Sequence, residues 1–252
     1  CCSLSAVDDA RRVADKLQIP FYVLNFKAPF RENVVDYFIQ EYHKGRTPNP
    51  CIACNRYLKF DLLLRKAMEL EADYIATGHY ARVFYDPSIK RNRLQKAKDA
   101  AKDQSYALYN LTQKQLSHIL LPLGSYLKRE VRSMAQRRGL AVAQKPDSQE
   151  ICFIPDDDYK RFLREESGIK PRSGPILDVS GNHLGIHSGL TNYTVGQRRG
   201  LGIAVGRPVF VVELDPKNNA VIVGDDSDVY SCALIADDVN TILVDKLTEP
   251  VN

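Results

Sequence analysis

The chain has 252 residues, 44% hydrophobic and 26% charged, with a formal net charge of +4, the ordinary composition of a soluble chain with room for one large domain or two modest ones. Its apolar runs fall far short of the ~20 residues a membrane span needs, no signal-peptide pattern opens it, and its six cysteines therefore read as reduced thiols of a cytoplasmic protein rather than a disulfide framework. The mild basic excess permits a nucleic-acid partner without demanding one, and a first residue of Cys1 rather than Met gives the expectation that an N-terminal piece precedes it.

In chain order, Ser5–Leu17 carries the apolar stripe Val7, Ala10, Val13, Ala14, Leu17 behind a capping-box-like Ser5 and Asp8, which predicts a helix. Pro20 then introduces PFYVLNF, the composition of a short buried strand. Phe30–Lys44 has helical period and stops at Gly45. The stretch GRTPNPCIACNRYLK follows. Pro48 and Pro50 predict a stiff, extended loop over Arg46–Pro50, and Asn55 is placed to cap a helix running through Leu58, Leu62, Leu63, Ala67 and Leu70. ADYIATGHY reads as a second buried strand, ending at Thr77-Gly78-His79, and Tyr80–Leu94 as a hairpin. Helix, strand, helix, strand at this spacing predicts an α/β domain with a parallel sheet, whose ligands lie beyond the carboxyl ends of the strands.

Further on, Lys102-Asp103-Gln104 opens a polar segment, and Thr112 with Gln115 makes a capping box. Lys128–Arg138 is a basic amphipathic helix closed by Gly139, either a solvated face or a phosphate-facing one. Asp156–Asp158 precede a helix with Tyr159, Phe162 and Leu163. After Ser167 short alternating strands predict a small β-rich domain: Pro175–Val179, Leu184–His187, Pro208–Leu214 and Ala220–Val223. Its loop Thr194–Gly202 sets Arg198 and Arg199 among glycines, a pattern suited to phosphate contacts of a nucleic acid but not to Walker or dinucleotide spacing. From Ser231 the sequence reads as the first strands of a further β unit. The domains expected are therefore 1–160, 161–227 and the start of a barrel at 228–252.

Cys51, Cys54 and Cys152 stand in distinctive settings, and three readings of them compete. Cys54 beside a helix end is a nucleophile with Cys152 as a distant partner in persulfide or disulfide chemistry. The three thiols ligate a metal or an iron–sulfur cluster, although no second Cys-x-x-Cys closes the set. Or all three are structural, Cys152 as a small hydrophobe between Ile151 and Phe153.

The motifs GRTPNPCIACN, ADYIATGHYARV, KDQSYALYNL, KPDSQEICFI and YTVGQRRGLGI, in this order over about Val7 to Val223, resemble those of the tRNA-specific 2-thiouridylases, also catalogued as tRNA (5-methylaminomethyl-2-thiouridylate)-methyltransferases. The resemblance implies a nucleotide alpha hydrolase-like (PP-loop ATPase-like) domain and an ATP- and Mg²⁺-dependent sulfur transfer to C2 of the wobble uridine in tRNAs for Lys, Glu and Gln. The uridine oxygen is adenylated, a cysteine persulfide delivers sulfur, and a cysteine desulfurase or sulfur relay protein supplies it. It implies Cys54 as nucleophile and Cys152 as persulfide carrier, Asn49, Pro50 and Cys51 against the target base, and Gly78 against the nucleotide. It further implies tRNA contacts at His79, Lys102, Asp103 and Gln104. Adenylation would make the oxygen a leaving group, and the Pro-Asn-Pro loop would hold a flipped base. The resemblance assigns the protein no metal site of its own. Family members open with a Ser-Gly-Gly-Val-Asp-Ser-type loop that cradles the ATP pyrophosphate. The expectation is that its place lies upstream of Cys1, so that this chain keeps both thiols, lacks most of the ATP site and does not complete turnover alone. The rival class is a tRNA-binding or redox module in which Cys54 and Cys152 form a regulatory disulfide.

Overall fold

The computed structural model describes residues 4–146, 151–168 and 170–249. These form two compact units that interleave in sequence. Among the described residues, one comprises 4–33, 51–146, 151–153 and 238–249; the other comprises 34–50, 154–168 and 170–237.

In the first unit, helix Leu4–Leu17 starts one residue before Ser5, so Ser5 sits inside the first turn rather than in front of it. Strand β1, Ile75–Ala76, pairs in parallel with β4, Ile119–Leu120. This is the parallel pairing of an α/β fold. Strands β2, Ala81–Asp86, and β3, Arg91–Lys96, form the expected hairpin. The core gathers Phe60, Ile75, Ala81, Leu108, Leu111, Leu116 and Ile119, each Phe, Leu and Ile side chain contributing about 1.5–3 kcal/mol on leaving water. The capping box at Thr112 and Gln115 is present in full. Helix Lys128–Arg137 ends at Gly139, whose φ of +65° is a conformation that glycine takes without strain. Its one acid, Glu130, accepts from Leu127 N at 2.7 Å and reaches Lys98, so its charge is spent at the helix start.

Two predicted strand regions are absent. Residues 20–26 have no ladder partner among the described residues and run as coil, with Tyr22 and Val23 exposed. A strand needs a neighbour for its N–H and C=O groups, so composition alone does not make one. Residues 231–249 also form no strand. Their last part lies along the first unit, where Asn240 Nδ2 donates to Tyr109 O and Leu111 O, and Arg91 pairs with Asp245.

In the second unit, strands β5 (Gly174–Asp178), β6 (His183–His187), β7 (Phe210–Asp215) and β8 (Ala220–Gly224) make a sheet in the order β6-β5-β8-β7, over a core of Ile176, Val211, Val221 and Val223. Helix Tyr159–Ser167 is capped by Asp158, which accepts from Arg161 N at 2.9 Å. Tyr159 stacks on Tyr42, and Phe162 meets Phe38 edge-on.

Gly124 shows how closely the first unit is packed. A Cβ there would fall 1.8 Å from the Ala81 carbonyl oxygen. Backbone cannot yield as a flexible side chain does, so Gly124→Ala is expected to destabilise the chain by about 1–3 kcal/mol, read as a lower urea midpoint with unchanged slope.

Candidate active site

Pro50 opens the helical run that carries both Cys-x-x-Cys thiols. Its fixed φ and missing N–H suit the first helical position, and the chain winds as Pro50–Ala53, Cys54–Leu62 and Leu63–Glu69 without a break. Asn55 is therefore not the cap predicted for it. It lies inside the helix, 2% exposed, and its Nδ2 donates to Ala107 O at 3.1 Å. Asn49 ends the coil just before the helix, Cys51 is in the first turn, and Cys54 begins the second. The extended loop is thus Arg46–Asn49, one residue shorter than expected. Cys54–Leu62 is wound with i→i+5 bonds, a rare geometry that often marks functional sites, and it sets Lys59 one wide turn beyond Cys54.

The strand end meets this helix at Lys59. Gly78 and His79 follow Thr77 just past the end of β1, and His79 packs at 5.6 Å from the Phe60 ring, 9% exposed. Lys59 Nζ lies 3.5 Å from His79 Nε2, and Thr77 Oγ1 lies 2.8 Å from Nδ1. An ammonium only donates, so Nε2 is the acceptor and Nδ1–H donates to Thr77. Burial first, and the Lys59 charge second, push the imidazole down to about 4, which keeps it neutral. Sequence reasoning missed Lys59, because helical period alone does not foresee a wide turn.

The Lys102–Gln104 segment docks beside the same strand end. Tyr80 N donates to Gln104 Oε1 at 2.9 Å, and Gln104 N donates to Tyr80 O at 2.8 Å. Asp103 accepts from Ala97 N and Ser105 Oγ, both at 2.6 Å, so its carboxylate holds the loop's shape. Lys128 Nζ sits 5.6 Å from the centre of the Tyr80 ring, which brings the basic helix to the same edge. The Cys54–Leu62 helix, through Lys59 and Phe60, therefore shares one neighbourhood with Gly78-His79 and Lys102–Gln104, although these come from three separated stretches of chain.

Cys152 is exposed, not packed as a small hydrophobe. Its neighbour Phe153 meets Phe30 edge-on at 5.7 Å, and the Lys27–Phe30 turn contacts the Cys54–Leu62 helix. The Ser148-Gln149-Glu150 part of its motif, like Cys1 and Cys2, lies outside the described residues. No disulfide joins Cys51, Cys54, Cys152 or Cys232, and among the described residues no three His, Cys, Asp or Glu side chains gather as a metal would require. Arg198 and Arg199 belong to the second unit. Both are exposed on a loop pinned to β7 by Gly196 N to Val211 O at 2.7 Å, with Arg198 over the Phe210 ring.

Known proteins resemble the chain over its whole length. Residues 1–156 match the family described as "tRNA methyl transferase HUP domain", and residues 160–225 match "tRNA methyl transferase PRC-barrel domain". The chain is 57% identical over 251 residues to tRNA-specific 2-thiouridylase MnmA of Acetivibrio thermocellus, covering 100% of this chain and 70% of that protein. It is 54% identical to the protein of the same name from Clostridioides difficile, again over 100% of this chain and 70% of the other. The Lachnoclostridium phytofermentans counterpart is 56% identical over 99% of this chain and 70% of its own length.

Proposed function

This chain belongs to the tRNA-specific 2-thiouridylase family, and on that premise we propose that it is a sulfurtransferase that thiolates the wobble uridine of tRNA. The observation that carries the reading is the convergence of the Cys54 helix, the Gly78-His79 strand end and the Lys102–Gln104 loop in one unit. Cys152 holds the persulfide. The Cys54 thiolate attacks the inner sulfur of Cys152–S–SH, a Cys54–Cys152 disulfide forms, and the terminal sulfur leaves as sulfide. Sulfide adds at C2 of the uridine, and the oxygen departs with its activating group. A thiol reductant then restores both cysteines. ATP, when bound with Mg²⁺, supplies the adenylyl group that makes that oxygen a leaving group. Asn49, Pro50 and Cys51 line the target base, while His79 and Lys102–Gln104 meet the tRNA, as Arg198 and Arg199 do from the second unit. The substrates are the tRNAs for Lys, Glu and Gln, and a cysteine desulfurase or relay protein donates the sulfur. Residues 1–160 are proposed as the catalytic domain and 161–227 as a tRNA-binding domain, while the expected barrel start at 228–252 carries no strand among its described residues. Among the described residues no helix is long and apolar enough to cross a membrane. We assign the chain to the cytoplasm on the ground of its proposed tRNA substrate.

The test needs neither ATP nor tRNA. After incubation with a cysteine desulfurase and cysteine, peptide mass spectrometry is expected to find one added sulfur on Cys152, lost in Cys152→Ser. A chain that takes up no sulfur with its thiols reduced would instead support the binding-module reading.

Gly78 offers a second test. It is exposed, its φ is ordinary, and an added Cβ would meet only Leu123 Cδ1 at 3.7 Å. Nothing in the fold requires glycine here, which leaves close ligand approach as its use. In a chain joined to the pyrophosphate-binding loop that family members carry, Gly78→Ala is expected to leave thermal unfolding unchanged while weakening ATP binding, read by calorimetric titration, by about tenfold. Equal affinity would remove Gly78 from the nucleotide site.

A further inference from the structure

A polar pocket lies on the Cys54 helix, beyond the residues assigned above. Its volume is about 320 Å³, and Arg56, Tyr57, Asn110, Asp238 and Asn240 are among its lining. Asn110 is 9% exposed, and neither its Nδ2 nor its Oδ1 finds a protein hydrogen-bond partner. An orphaned buried amide is destabilising, so this side chain gains when a polar partner reaches it. The segment from Asp238 onward lies across it and forms part of the pocket wall. Asn240 Nδ2 donates to Tyr109 O at 2.7 Å and to Leu111 O at 3.0 Å, the carbonyls on either side of Asn110. Asp238 takes the Arg56 guanidinium at 2.9 Å through an ion pair exposed on both sides, the kind that holds weakly.

We propose that Asn110, Arg56 and Tyr57 form a pocket for an unstacked nucleobase of the RNA substrate, and that the Asp238–Asn240 segment is a displaceable strap that covers it. The chemistry favours a base over other ligands. A primary amide with both its donor and its acceptor open pairs with a base edge, and flat Arg and Tyr side chains stack on base faces. Arg56 already lies 5.4 Å from the centre of the Tyr57 ring, and Cys54 precedes the pair on the same helix. Opening the strap would release the Arg56 charge and expose the amide together. The inference rests on the reading that the chain acts on tRNA.

The experiment is a fluorescence-anisotropy titration of the whole chain with a labelled anticodon stem-loop hairpin, alongside thermal unfolding. Asn110→Ala is expected to weaken binding about tenfold and to leave the unfolding temperature equal or higher, since the orphaned amide is gone. Asp238→Ala is expected to tighten binding severalfold by loosening the strap. Wild-type affinity in Asn110→Ala, or a lower unfolding temperature, would make Asn110 a packing residue and overturn the pocket while leaving the tRNA reading intact. Weaker binding in Asp238→Ala would overturn the strap. A wild-type chain that does not bind the hairpin at all would overturn the tRNA reading itself, and the pocket with it.

Discussion

Replacing Cys54 by serine is expected to slow sulfide release from a Cys152 persulfide by at least about 10³-fold, with affinity for tRNA unchanged. The reason lies in the nucleophile. A thiolate is the attacking species in sulfur exchange, whereas a serine hydroxyl stays protonated near neutral pH and forms no stable bond to sulfur. Serine is close in size, and Cys54 is half-buried near the surface of its helix, so the fold is kept. The measurement is rapid-quench sampling of the persulfide-loaded chain, with peptide mass spectrometry scoring the Cys54–Cys152 disulfide. Cys51→Ser is the necessary companion, because Cys51 lies in the first turn of the same helix and is exposed. Disulfide formation that survives Cys54→Ser but stops in Cys51→Ser would move the attacking role to Cys51. Sulfide release that survives in both would remove the helix thiols from the step.

What the sequence made legible follows how local each signal is. The Thr112 and Gln115 capping box, the Gly139 stop, the Ala81–Lys96 hairpin and the β5–β6 and β7–β8 hairpins of the second unit depend on near neighbours, and each is present close to its expected place. The run at Pro20 fails because a strand is a relation between segments, and its residues meet no ladder partner among those described. Asn55 was misplaced because two start signals compete over a few residues. Pro50 wins, and Asn55 then spends its amide on Ala107 across the fold. The candidate site was legible as three separate motifs. Their meeting was not, because it depends on a wide helical turn at Lys59 and on the reciprocal Tyr80–Gln104 bonds, neither of which has a periodic signature. Asn110 was invisible for a related reason: an asparagine in KDQSYALYNL reads as polar, and only the fold reveals that it is buried without a partner.

His79 is expected to titrate near pH 4 in the folded chain, and its neutrality to make the protein acid-sensitive. Its ordinary value is 6.5. Protonating it would bury a cation and set it 3.5 Å from the Lys59 ammonium, whose hydrogen bond to Nε2 would also be lost. Between those two pH values the unfolded chain binds a proton that the folded chain refuses. Stability from this group is therefore complete above about pH 6.5 and drains away as pH falls toward 4, by about 3 kcal/mol in all. Two measurements check it. The His79 ring resonances are expected to move with a midpoint near 4, and Lys59→Met is expected to raise that midpoint by removing the charge while leaving the burial. Urea unfolding across the same range is expected to show a slope that His79→Phe flattens. A midpoint near 6.5 would sink the account, because the ring would then carry charge at the site whenever the solution is mildly acidic. The consequence for function has a sign as well. A histidine held neutral brings no charge to RNA, so any contribution it makes to tRNA affinity should stay flat from pH 8 to pH 5, while the lysine and arginine contribution falls steeply with salt.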